Sequence, residues 1–178
     1  MSEHINIVGD VVEQKRNKVV LKFHRDNLLY DIKNYAYVES DVMSEDAQHN
    51  RHMLAEIGEA GNVDRVYRIL SVVHAAVIEM LYPYTKQLPV DEEIDNSLIA
   101  PETYEIEMQV PDTMSRSTLH LLSRLIHEYM VYSVLADWLD ITNPQAAANW
   151  REKAEITSSE INRTKSNRAA FVRPLRPF

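Results

Sequence analysis

The 178-residue chain contains no cysteine, which removes disulfides, thiolate metal sites and cysteine nucleophiles together. Glycine is scarce as well: three residues, Gly9, Gly58 and Gly61, against the roughly 7% of average usage. With so few glycines, neither a G-x-S-x-G elbow, a phosphate-binding G-x-x-x-x-G-K loop nor the dinucleotide fingerprint can be written. The same shortage leaves few tight turns and favours long helices over an all-β fold. Long apolar runs are missing too. None approaches the roughly 20 residues of a membrane span, and Met1–Asp10 lacks the basic and apolar regions of a secretory leader, so we expect no membrane association.

What is present is globular in composition, with 45% hydrophobic and 26% charged residues, and suits one core. Charge is unevenly spread. The net value is −8, yet Arg163, Lys165, Arg168, Arg173 and Arg176 stand in the last sixteen residues without an acid. Removing these five from 19 basic residues leaves 14 against 27 acidic ones, so residues 1–162 carry −13. An acidic body of that kind does not bind duplex DNA nonspecifically, whereas the basic arm can touch nucleic acid or an acidic protein surface.

Periodicity predicts a mainly α fold, a bundle of four to five helices with a small β element and an extended C-terminal arm. Ile5–Val8 and Val19–Phe23 read as short extended segments within residues 1–23. Helical spacing of Leu28, Leu29, Ile32, Tyr35, Ala36 and Glu39 gives a helix over 26–41, and Ser44–Glu59 suits a shorter second one. Asn62 can cap a third, with Val66, Ile69, Leu70, Val73, Val77 and Met80 as its apolar stripe and Pro83 as its stop.

Residues 89–111 form a proline-punctuated excursion in which Tyr104–Val110 alternates as a half-buried strand, and residues 5–23 offer the partner. Ser115 or Ser117 caps a long helix to Leu139 that buries Leu122, Ile126, Val134, Leu135 and Trp138. Leu121, Leu125, Met130 and Val131 widen its apolar surface, so it is either central to the bundle or shared with another subunit. Asn143-Pro144 opens a last helix to about Arg163, burying Ala147, Trp150, Ala154 and Ile161. The expected organisation is one helical domain, 1–162, and a basic arm, 163–178.

Candidate chemistry is thin. His49 and His52, three apart with Asp46 a turn earlier, allow a surface metal site and hence a metal-dependent enzyme, though a solvated helix face is the simpler reading. His120 and His127 share the long helix, but Arg124 and Ser71 occupy positions where a di-iron bundle needs Glu-x-x-His. His74 suits a hydrogen-bonded core or interface histidine. We therefore expect no catalytic, cofactor or metal residues. Nine tyrosines are more informative, because a large apolar face with a polar tip suits surfaces covered on assembly. The expected partner surface comprises Tyr129, Tyr132 and Trp138 on the long helix and Phe171, Arg173, Leu175, Arg176 and Phe178 in the arm. A nucleic-acid-associated factor acting through the basic tail is the remaining alternative.

Lys22–Asp31, Met80–Lys86, Leu125–Val131, Asp137–Pro144 and the Arg176-Pro177-Phe178 ending resemble small structural proteins of tailed phages and prophages of gut Bacteroidetes. The likeness covers nearly the whole chain. Among virion parts, a helical body with a β excursion and a terminal arm resembles ring-forming neck or head–tail connector proteins. That resemblance implies a homo-oligomeric ring, twelvefold in that family, that contacts the portal and other neck or tail proteins, is assembled in the host bacterial cytoplasm and resides in the virion. Its acidic body would let DNA slide through a channel without sticking.

Overall fold

The computed structural model describes residues 16–42, 52, 54, 56–87 and 100–166. In chain order these form strand β1 (Arg16–His24), helix α1 (Arg25–Val42), a 3-10 turn (Glu56–Gly58), helix α2 (Val63–Met80), strand β2 (Thr103–Pro111), helix α3 (Arg116–Thr142) and helix α4 (Pro144–Ser166). The architecture is mainly α with one small sheet, as the periodicity predicts.

The alternation in Tyr104–Val110 is a strand with one face buried: Tyr104, Ile106, Met108 and Val110 point inward, and Glu105 and Glu107 outward. Its partner is β1, antiparallel, with Leu21 opposite Ile106 and Phe23 opposite Tyr104. On the solvent face Lys18 meets Glu107 at 2.9 Å and Lys22 meets Glu105 at 2.6 Å, so opposite charges face each other across the ladder. The paired strand begins at Arg16; Ile5–Val8 lie outside the described residues.

Helix α3 is the centre of the body. Leu122, Leu125, Ile126, Met130, Val131, Val134, Leu135, Trp138 and Leu139 are all buried, which a helix covered on several sides requires. Of the positions that widen its apolar surface, Leu125, Met130 and Val131 are enclosed by the chain itself, whereas Leu121 is 52% exposed. Ser115 Oγ accepts from the Thr118 amide at 3.0 Å and caps the N-terminus. Asn143 Oδ1 likewise accepts from the Ala146 amide at 3.2 Å, and Pro144 then starts α4, which folds back along α3.

Ala147, Trp150, Ala154 and Ile161 of α4 are buried as expected. The helix runs on through Ser166, so Arg163 and Lys165 belong to it rather than to an arm starting at 163. The reason is tertiary: Lys165 Nζ donates to the carbonyls of Met80 and Tyr82 at the end of α2, and Tyr84 Oη donates to the Lys165 carbonyl at 3.1 Å. Helix α2 stops at Met80, ahead of the Tyr82–Pro83 peptide, which is cis. Of the expected helix over 44–59, the stretch from Glu56 to Gly58 is a 3-10 turn, and most of the remainder lies outside the described residues.

Candidate functional site

The inner face of α1, Leu28, Ile32, Ala36 and Ser40, is buried at a strict four-residue spacing. On the same helix, away from that stripe, stand the exposed Asn27 and Asn34 and the half-buried Asp31. On α3 the positions three, four and seven apart, His120, Ser123, Arg124, His127 and Glu128, form a matching polar edge. Between the two edges lies a polar groove of about 670 Å³, lined by residues from the end of β1 to Tyr35 and Tyr132.

Asp31 and His127 bridge the groove, Nε2 of the ring donating to Oδ2 at 2.7 Å. Their side chains are 40% and 26% exposed, so the contact is charge-assisted when the ring is protonated and partly screened by water. At the β1 end, His24 Nδ1 lies 3.2 Å from the Thr103 hydroxyl. Lys22 is held by Glu105. Arg124 and Glu128 have no ion-pair partner among the described residues.

The Tyr35 and Tyr132 end is aromatic. Tyr35, Tyr132 and Trp150 meet edge to face or tilted, with ring centroids 5.2 to 6.2 Å apart, and thereby join α1, α3 and α4. Trp150 Nε1 donates to Glu39 Oε1 at 3.0 Å, and Lys153 Nζ sits 3.8 Å over the indole ring. Burial, and then the neighbouring Glu128 charge, push the Tyr132 hydroxyl up to about 12, so it remains a neutral donor at physiological pH.

This arrangement offers imidazole, amide, hydroxyl and carboxylate groups to a polar, extended ligand. Ser123 lines the groove one turn before His127, yet no described hydroxyl is hydrogen-bonded to that ring, so this serine is not paired with a base. No group of three or more His, Asp or Glu side chains able to hold a metal ion occurs among the described residues. Of the metal reading at the second helix, Asp46 and His49 lie outside those residues; His52 pairs with Glu56 at 3.0 Å, four residues on.

His74 behaves as a hydrogen-bonded histidine at the edge of the core. Its Nε2 lies 3.0 Å from the Glu105 carbonyl and its ring packs on Tyr104 at 5.3 Å. Burial pulls its pKa below the ordinary value of 6.5, against a smaller opposing effect of that hydrogen bond.

The predicted partner surface is divided. Tyr132 closes the α1/α3 groove, whereas Tyr129 borders a separate hollow between α3 and α4 with Ser133 and Ala136. Trp138 lies in the chain's own core at 4% exposure, where the Arg65 guanidinium covers its ring at 5.2 Å and is held by Asp137 at 2.9 Å. Phe171, Arg173, Leu175, Arg176 and Phe178 fall outside the described residues. The tyrosines divide between core and surface: Tyr67, Tyr84, Tyr129 and Tyr132 pack on the core, while Tyr30, Tyr35, Tyr37 and Tyr82 are exposed. Asp31 was not legible as a site residue, because its histidine partner stands 96 residues away.

No family model matches the chain, and no curated protein or solved structure matches it at a significant level. No helix among the described residues is long and apolar enough to cross a membrane.

Proposed function

We propose that the chain is an assembly component, a ring-forming head–tail connector or neck protein of a tailed virion that binds the portal and neighbouring copies and lets DNA pass. The observation that carries the assembly reading is the outward side of α1. Away from the buried Leu28, Ile32 and Ala36, this helix presents Tyr30, Tyr37, Val38 and Val42 at 70%, 65%, 54% and 79% exposure, set among the exposed Asn27, Asn34 and Asp41. A helix with one solvated side normally carries polar residues there. Four large apolar side chains left exposed on one helix are surface that gains from being covered.

The virion assignment rests on the resemblance set out above. The charge pattern supports it, since a body of −13 denies phosphates a stable site along a channel. Light scattering on the purified chain, alone and with its portal, tests the assembly: a discrete ring is expected in one of the two samples. Mass spectrometry of purified particles tests the location, and particles without the chain would remove the virion reading.

A further inference from the structure

Helix α3 carries an imidazole, a guanidinium and a second imidazole along one side. His120, Arg124 and His127 stand four and three residues apart, so they share a face and together advance about 10 Å at 1.5 Å per residue. All three line the α1/α3 groove, as does His24 from the end of β1. The Asp31–His127 and Tyr35–Tyr132 contacts join residues of nearly equal separation in sequence, so α1 and α3 run side by side in one direction. His24 and His120 keep that separation, which sets them level at one end. Three of the five histidines among the described residues thus meet in one groove, a concentration of N–H donors on an acidic body.

Internal contacts use only part of this donor set. Asp31 takes Nε2 of His127 at 2.7 Å, the Thr103 hydroxyl lies 3.2 Å from Nδ1 of His24, and Glu105 holds Lys22 at 2.6 Å. Left without a partner among the described residues are Nδ1 of His127, Nε2 of His24, both nitrogens of His120 and the Arg124 guanidinium. A guanidinium fork with imidazole N–H groups beside it fits the oxygens of a phosphate. Asp31 being engaged by His127, the carboxylate left on the groove is Glu128, a turn beyond Arg124 and close enough to Tyr132 for its charge to act on that hydroxyl. The wall therefore suits a ligand with an oxyanion at one end and a hydrogen-bond donor at the other.

Aromatic faces line the same groove, and a planar base stacks on such rings. Its volume of about 670 Å³ lies in the range of small-molecule sites, about 300–1,000 Å³, and is far too small for a duplex. We propose that the α1/α3 groove binds a nucleoside monophosphate. The phosphate lies on His120 and Arg124 with His24 beside it, the base lies against Tyr30, and an exocyclic amine donates to Glu128. From Arg124 to Glu128 the helix advances about 6 Å, a span that one ribose bridges. The acidic body does not prevent this, because charges beyond about 8 Å are largely screened at physiological salt whereas Arg124 touches the ligand. The site concerns a single molecule and is independent of the virion reading.

Calorimetric titration of the full-length chain with adenosine 5′-monophosphate is expected to saturate at one site per chain. Adenosine and inorganic phosphate, each lacking half of the ligand, should both bind at least about tenfold more weakly. Arg124→Gln and, separately, His120→Gln should weaken the monophosphate, the arginine change by about tenfold, as loss of a charge-assisted hydrogen bond implies. Both positions are exposed, so the urea midpoints of these variants should not move. Arg68→Gln, beside a separate hollow on α2, should bind like the unaltered chain. Absence of saturable binding, equal affinity for the monophosphate and either of its halves, or unchanged binding by both groove variants would each overturn the proposal.

Discussion

Asp31 and His127 meet at 2.7 Å although 96 residues separate them, and this contact ties the middle of α1 to the middle of the central helix. Both side chains line the groove, and each has a fully buried isoleucine as its neighbour in sequence, Ile32 and Ile126. The pair therefore joins the two groove walls by a polar contact beside the apolar core.

Asp31→Ala is expected to lower stability by about 1 kcal/mol, a charge-assisted hydrogen bond discounted for partial exposure. Urea unfolding followed by circular dichroism measures it. A double-mutant cycle with His127→Ala should recover most of that energy as coupling. Additive losses would mean that the two side chains act separately.

Acidification should weaken the fold through His74. Its pKa is lowered on folding, so the neutral ring is favoured in the folded chain and the unfolded chain takes up a proton first. The contribution is complete above the unfolded value of about 6.5 and is lost as pH falls through the lower folded value. His74→Gln, which keeps a donor for the Glu105 carbonyl, should show a shallower decline in urea midpoint over that window than the unaltered chain.

Ile126 is fully buried on α3 against the remainder of the core. Ile126→Ala should cost about 2–5 kcal/mol, by lost transfer energy and the cavity left behind. A thermal or urea midpoint little changed by this substitution would contradict the central placement of α3.

On the outer side of α1, Tyr37→Asp with Val38→Asp should leave the urea midpoint within about 0.5 kcal/mol, because both positions are exposed. The same pair of changes should abolish higher-order assembly in light scattering. Unchanged assembly would place the copy-to-copy contact elsewhere.

Helix positions were legible from residues alone because burial repeats along a helix. Leu28, Ile32 and Ala36 predict a helix over 26–41 where α1 spans Arg25–Val42, and Asn143-Pro144 marks the start of α4. Two-residue alternation predicts β2 in the same way. The candidate site was less legible. The partner of His127 is a single aspartate on another helix, where polar residues follow no period that spacing could reveal.

The order of residues by itself determined that this protein is mainly helical, where its described helices and its second strand lie, and that its charge divides into an acidic body and a basic end. These properties follow from local propensity, spacing and composition, which need no distant partner. Only the tertiary structure decided that Phe23 faces Tyr104, that Trp138 lies inside while Tyr30 and Tyr37 lie outside, and that Asp31 reaches His127. Each of those outcomes depends on which surfaces of separate elements bury each other, a choice made by the packing of the whole chain.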